Sequence, residues 1–388
     1  MRERGIFILT AKTSEGQIIV LTRKLEREKL RRWRQSQLFY CQQCNTQVQL
    51  KVGDIKIPHF SHMKDASCTT LFSEGESQEH LRGKQQLYGF LQQYAKNVEL
   101  EPFLKMLSQR PDILVTTPSE SIPIEFQCST IPIADIESRS DGYRSIGMNP
   151  IWILQTPAKF IREPLGVGVF YFSRFHESLL TFTSPEGLTL LTYNPQTELF
   201  HYFTSLICIA GKRYIGIHRT LPLSLQVFPF ARPKAPSKNE IIQYTAIYSS
   251  LRTQFLQSRI LLNRKGVNDS FLRMCYEMRI LPADLPQWIG LPVPFNNEFR
   301  EHDCEWQLAF LYHMRRKGVN IMEITNGQVR RYIYQMDGSS DGQQKACFAY
   351  LEFLRSVGVD SSKKSTVINE EKVFDLFSER FLAKRREN

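Results

Sequence analysis

Arg110-Pro111-Asp112-Ile113-Leu114-Val115-Thr116-Thr117-Pro118-Ser119-Glu120-Ser121-Ile122-Pro123-Ile124-Glu125-Phe126-Gln127 is the stretch that decides the reading of this chain. Two runs rich in β-branched and apolar residues flank a short Thr/Pro/Ser/Glu turn, which is the pattern of a hairpin. With the turn centred between Pro118 and Ser119, symmetric antiparallel pairing sets Asp112 opposite Glu125. Directly opposed residues carry their β-carbons ~5 Å apart on one face. Two like charges there repel, and a divalent cation held between them would supply the reason for the pairing, because hard cations take carboxylate oxygens. Gln127 lies two residues beyond Glu125 and points to the same face. An exposed hairpin face is the competing reading, since carboxylates are ordinary there. Against it, Glu125 sits inside an otherwise apolar strand of Ile122, Ile124 and Phe126.

A helix is expected upstream, from Ser77 to Tyr94, with Leu81, Tyr88 and Leu91 near helical spacing and Leu87 and Phe90 widening the stripe. Glu79, His80 and Lys84 fall near its start, the end that would approach the mouth of a sheet. The order of helix with Glu, strand with Pro-Asp and strand with Glu-x-Gln resembles the PD-(D/E)xK nuclease superfamily. That resemblance implies that Asp112 and Glu125 hold Mg²⁺ and that the residue at Gln127, usually Lys, orients the attacking water. A Gln bonds a water but brings no positive charge to the transition state; Lys84 is the candidate to supply that charge from the helix.

Cys41-Gln42-Gln43-Cys44, Pro58-His59-Phe60-Ser61-His62 and Cys68 bring five soft or borderline ligands into one short segment. That density suits a tetrahedral zinc site of the closed, structural kind. Cys41, Cys44 and Cys68 are the expected ligands, with His62 as the fourth and His59 as its alternative. Val48, Leu50, Val52, Ile55 and Ile57, with Gly53-Asp54, read as a small β-hairpin between the ligands, making a zinc-ribbon-like knuckle.

The two sites together resemble the CoiA competence protein family. The residues that carry the resemblance are Phe39-Tyr40-Cys41-x-x-Cys44, Lys56-x-Pro58-His59-Phe60-Ser61-His62, Glu76-Ser77-x-Glu79-His80-Leu81-x-Gly83-Lys84, Arg110-Pro111-Asp112, Ile124-Glu125-Phe126-Gln127-x-Ser129, Arg139, Tyr143 and Ile151-Trp152-Ile153-Leu154. It is close over roughly residues 1 to 160 and looser beyond, at Pro286-x-x-Ile289-Gly290-Leu291-Pro292 and Trp306-Gln307. The resemblance implies a restriction-endonuclease-like mixed sheet core. It also implies a role in bacterial natural transformation, acting on incoming single-stranded or branched DNA and aiding its recombination.

The formal charge is +11, and residues 1 to 34 alone hold ten basic and four acidic side chains. Arg23, Arg27, Arg31 and Arg34 fall on one helical stripe able to track phosphates, with a solvated surface helix as the plainer reading. Hydrophobic content of 42% supports a real core. No apolar run approaches the ~18 residues of a spanning helix, the apolar start is too short for a signal peptide, and the scattered cysteines read as reduced thiols of a cytoplasmic protein. The expected organisation is an α+β/α/β multidomain chain with a basic zinc-binding β module (1–70), a nuclease-like α/β core with a β-rich extension (71–235) and a helical C-terminal domain (236–388).

Two functions follow. In the first, the chain is a deoxyribonuclease in which Asp112 and Glu125 hold Mg²⁺ or Mn²⁺, Gln127 positions water, and Glu79 supports a second cation or the first one's waters. In the second, the fold is a non-cutting DNA groove that brings a recombinase partner to single-stranded DNA.

Overall fold

A computed structural model describes residues 7–63, 77–183, 187–262, 268–336 and 341–359. Cys68 and the basic tail lie outside these described residues. The architecture is mixed α/β, with two sheets and ten α-helices among the described residues. The chain divides into two compact units. The first comprises Met1–Arg162, Leu191–Tyr202 and Thr220–Ala231, and the second Glu163–Leu190, Phe203–Arg219 and Arg232–Asn388.

The first unit opens with a six-stranded sheet. Its strands are β1 (Phe7–Ile8), β2 (Thr10–Thr13), β3 (Ile18–Val20), β4 (Phe39–Tyr40), β5 (Gln47–Lys51) and β6 (His59–His62), in the order β1-β6-β5-β4-β2-β3. Strand β5 shows why it forms. Val48 and Leu50 alternate with Gln47, Gln49 and Lys51, so one face packs inward and the other stays wet. Between β3 and β4 runs α1 (Arg27–Ser36), which buries Leu30. The helix starts at Arg27, so Arg23 falls in the preceding turn, closed by the Leu25 N–H donating to the Thr22 carbonyl. Only Arg27, Arg31 and Arg34 of the arginine stripe share the helix.

Next come α2 (Gln78–Leu91), β7 (Asn97–Leu100), β8 (Ile113–Thr116), β9 (Ser121–Gln127), α3 (Ile133–Ser145), β10 (Ile151–Gln155) and α4 (Ala158–Ile161). Ser77 caps α2 by accepting the His80 N–H at 3.1 Å, satisfying one of the first turn's orphan donors. Strands β7, β8 and β9 are antiparallel, and β10 returns parallel to β9 after the α3 crossover. The β8–β9 pairing runs from Thr116↔Ser121 to Ile113↔Ile124, the register expected from the symmetric turn. Pro123, which has no N–H to give, precedes the first β10 partner, Ile124↔Ile151. Helix α2 lies on this sheet through Gly83. A β-carbon there would come within 2.1 Å of the Phe126 ring, so glycine sets how closely the helix approaches β9.

The remaining strands are β11 (Gly166–Tyr171), β12 (Thr181–Thr183), β13 (Gly187–Asn194), β14 (Leu199–Ala210) and β15 (Arg213–Pro222), with α5 (Arg174–Glu177) after β11. In the second unit β11 pairs with β15 and β12 with β13, both antiparallel. Its helices are α6 (Lys238–Leu261), α7 (Ser270–Met278), α8 (Asp303–Arg316), α9 (Asn326–Gln335) and α10 (Asp341–Val357). Helix α6 buries Tyr244, Tyr248, Arg252 and Leu256, and the Arg252 guanidinium donates to the carbonyls of Leu285, Pro286 and Ile289. No described helix is long and apolar enough to cross a membrane.

Candidate functional site

The opposed acids of the hairpin sit in a buried ionic cluster. Asp112 lies one residue before β8 and accepts the Phe126 backbone N–H at 2.9 Å on Oδ2. The same oxygen lies 3.2 Å from His80 Nε2, while Oδ1 lies 3.6 Å from Lys84 Nζ. Glu125, 2% exposed, is bonded through Oε1 to both Arg139 and the Tyr143 hydroxyl. These two partners stand four residues apart on α3, on one helical face turned to the sheet. Arg139 also lies over the Trp152 ring of β10, which steadies its guanidinium.

Lys84 is wholly buried and ion-paired with Glu101, a residue at the end of β7 that sequence reasoning did not single out. Glu101 further accepts the Leu9 N–H at 2.8 Å, the Thr10 N–H at 3.2 Å and the Thr10 hydroxyl at 3.2 Å. Its backbone is left-handed, with φ of 50°, and its own N–H donates to the Asp112 carbonyl. The sequence signal was faint: an acid placed before Pro102 at the end of an amphipathic strand.

Burial penalises all three carboxylates, and their partners sort them. For Glu101 the burial cost is outweighed by Lys84 and Arg110, so its pKa lies below the usual range. For Asp112 it is outweighed by His80 and Lys84, which also hold the carboxyl low. For Glu125 burial wins with help from the charge of Asp112, and the pKa is raised despite Arg139 and Tyr143.

Gln127 donates from Nε2 to the Ser129 carbonyl at 2.9 Å. Glu79 is half-buried on the first turn of α2 and makes no side-chain hydrogen bond or ion pair among the described residues.

A divalent ion between Asp112 and Glu125 meets the right donor chemistry but the wrong occupancy. Mg²⁺ asks for near-octahedral oxygen ligation at about 2.0–2.1 Å. Here Glu125 Oε1 is taken by Arg139 and Tyr143, Asp112 Oδ2 by His80 and the Phe126 N–H, and Glu101 is turned to Lys84 and the β1–β2 backbone. The positive charge a metal would bring is already present as Lys84 and Arg139. As arranged, one oxygen of each acid is committed to protein donors, and Asp112 Oδ1 and Glu125 Oε2 are the carboxylate oxygens left to meet an ion.

The Cys/His cluster does fit a soft-ligand metal. The ligand atoms of Cys41, Cys44 and His62 lie within 4.8 Å of one another. His62 Nε2 is 3.4 Å from Cys44 Sγ, and its Nδ1 is buried without a hydrogen-bond partner among the described residues. The Gln43 N–H points to Cys41 Sγ at 3.4 Å, the backbone curl of a Cys-x-x-Cys turn. His59 is committed elsewhere. It is buried, its Nδ1 is 2.8 Å from the Ile57 carbonyl, its ring lies 4.3 Å from that of Phe7, and burial lowers its pKa. The turn also reaches the acid cluster, because Gln42 Nε2 donates to Thr10 Oγ1 at 2.9 Å and Thr10 in turn donates to Glu101.

Of the arginines, Arg31 pairs with Glu28 and with Asp54 at 2.6 Å, and Arg23 with Glu198 at 3.0 Å. Arg34 is exposed on the last turn of α1, and Arg27 is half-buried.

These features define a mixed α/β protein whose core hairpin carries opposed acids beneath a helix, next to a β module with a Cys/His cluster. A family model described as the nuclease-like domain of competence protein CoiA matches residues 76–231, and one described as its N-terminal domain matches residues 22–71. The chain is 30% identical over 293 residues to the competence protein CoiA of Bacillus subtilis (strain 168), covering 74% of this chain and 73% of that protein. No solved structure matches it. The chain belongs to the CoiA competence protein family.

Proposed function

We propose that this chain is a competence-related DNA-binding protein whose nuclease-like core serves as a platform for incoming DNA and does not cleave it. The observation that carries the reading is the occupancy of the opposed carboxylates: Glu125 is tied to Arg139 and Tyr143, and Asp112 to His80 and the Phe126 amide, with Lys84 alongside. A restriction-endonuclease-like core of this kind keeps the acids as structural ionic ties. Positive charge of +11 over the chain supports a polyanionic partner. The Cys41, Cys44 and His62 cluster binds zinc in a structural role, with Cys68 as the fourth ligand.

The nuclease reading is favoured by the match of residues 76–231 to a nuclease-like domain model, by a register that ends at Ile113↔Ile124 with Asp112 and Glu125 as the next residues along it, and by the lowered pKa of Asp112. One assay separates the two. Purified chain with Mg²⁺ or Mn²⁺ is incubated with labelled single-stranded, duplex and branched DNA beside a Glu125→Ala control. The platform reading expects DNA to be bound and left intact. Cutting by the wild type above the control would sink it.

A further inference from the structure

A cavity of about 230 Å³ opens where the turn before α1, the start of α1, the Ile57–Pro58 segment and α2 meet. Arg23, Arg27 and Arg82 line it, with Gln85 beside them and Leu30 and Ile57 among its apolar walls; no carboxylate lines it among the described residues. Its volume falls below the about 300–1,000 Å³ of sites that enclose drug-sized ligands, which suits a small group.

The arginines of this region divide into two kinds. Arg31 is neutralised by Glu28 and Asp54, and Arg23 is bonded to Glu198. Arg27 and Arg82 carry no carboxylate partner among the described residues. Arg27 Nη1 is buried without a hydrogen-bond acceptor among the described residues. A buried guanidinium donor left unmatched is costly, and an anion in the cavity would satisfy it.

We propose that this cavity binds a phosphate group of a DNA strand, with Arg27 and Arg82 as its principal donors. The proposal deepens the platform reading and rests on it. It moves the phosphate contact away from the outer face of α1, where Arg31 is already paired, and into the angle between α1 and α2. A second cavity of about 330 Å³ shares Thr22, Arg23 and Gln85 with the first and reaches Tyr94, which is 46% exposed. The two cavities adjoin at these shared residues, and Glu198 also lines the second.

The test compares full-length wild type with Arg27→Gln, Arg82→Gln and the double variant, by fluorescence anisotropy of a labelled single-stranded oligonucleotide over a salt series. Arg82 is exposed, so its variant reads the site even if Arg27→Gln disturbs folding. Arg162→Gln, at an exposed position away from the cavity, is the charge control. The double variant is expected to lose about 10-fold or more in affinity and to flatten the log–log salt slope by ~1, the signature of one lost phosphate contact. Inorganic phosphate, used as competitor, is expected to displace the strand weakly.

If wild type binds DNA and the folded double variant matches Arg162→Gln in affinity and slope, the proposal is overturned and the platform reading stands. If inorganic phosphate binds wild type as tightly as the oligonucleotide does, the site takes free phosphate and the DNA assignment is overturned. If wild type binds no DNA, the platform reading fails and the proposal with it.

Discussion

Replacing Lys84 by Met asks whether the buried cation holds the acid cluster together. Lys84 is 0% and Glu101 1% exposed, and Asp112 Oδ1 lies 3.6 Å from the ammonium. At that distance a unit charge pair attracts by about 5 kcal/mol for the effective dielectric that suits protein sites. The substitution also removes the cost of burying the ammonium. The net effect of deleting one partner of a buried pair is accordingly about 3–5 kcal/mol. Asp112 keeps His80 and the Phe126 N–H, and Glu101 keeps the Leu9 and Thr10 donors. Those survivors put the expected loss at the lower end, about 3 kcal/mol. A melting midpoint moves by about 2–4 °C per kcal/mol for a unit of about 150–250 residues, so the drop for the first unit is about 6–12 °C. Urea unfolding at neutral pH, followed by fluorescence of Trp33 and Trp152 in a Trp288→Phe/Trp306→Phe background, reads the free energy of the first unit. A second arm runs near pH 4. Lys84 holds Glu101 low, so in Lys84→Met the carboxyl takes up a proton more readily and the deficit shrinks as pH falls. A loss below about 1 kcal/mol at neutral pH, or a deficit that does not shrink in acid, refutes the reasoning.

Three further outcomes are expected. Protein purified without chelator carries one zinc per chain by elemental analysis, and Cys44→Ser loses it and melts lower; a metal-free, fully stable wild type contradicts this. Because the Glu101 and Asp112 carboxyls are held low, their contribution is full above the unfolded value of about 4 and is lost as pH falls below it, so unfolding free energy should drop on acidification and Asp112→Asn should flatten that drop. Tyr143→Phe removes a hydroxyl donor from buried Glu125 and should cost about 1.5–3 kcal/mol in the same unfolding assay, whereas a neutral result would mean Arg139 suffices alone.

The hairpin was legible because its information is local. Period-two alternation and the turn around Pro118 and Ser119 fix the register without reference to anything else in the chain, and the pairing from Thr116↔Ser121 to Ile113↔Ile124 follows for that reason, with Asp112 and Glu125 next along it. The convergence of Cys41, Cys44 and His62 was legible from ligand spacing. What those acids bond to was not. Glu101 meets Lys84 across 17 residues and Leu9 across 92, and no periodicity links them. Arg139 and Tyr143 stand at the four-residue spacing of one helical face, but only the α3 crossover decides that this face looks at Glu125. The arginine stripe was read one turn too far toward the N-terminus. The turn closed between Thr22 and Leu25 delays the helix to Arg27, and nearby carboxylates neutralise Arg23 and Arg31.

The bonds from Gln42 to Thr10, from Thr10 to Glu101 and from Glu101 to Lys84 bear on how the gene can be cut and recombined. The two stretches matched by the family models, 22–71 and 76–231, invite cloning as separate pieces. Leu9 and Thr10 precede both, yet they supply three of the donors that stand in for water around Glu101. A fragment begun at Ser77 would keep the hairpin, α2 and α3 but leave that carboxylate facing Lys84 with its other donors gone. Chimaeras that exchange the N-terminal module between relatives should therefore be productive only when the side chains at 10, 42, 84 and 101 travel as one set and position 9 keeps a backbone N–H.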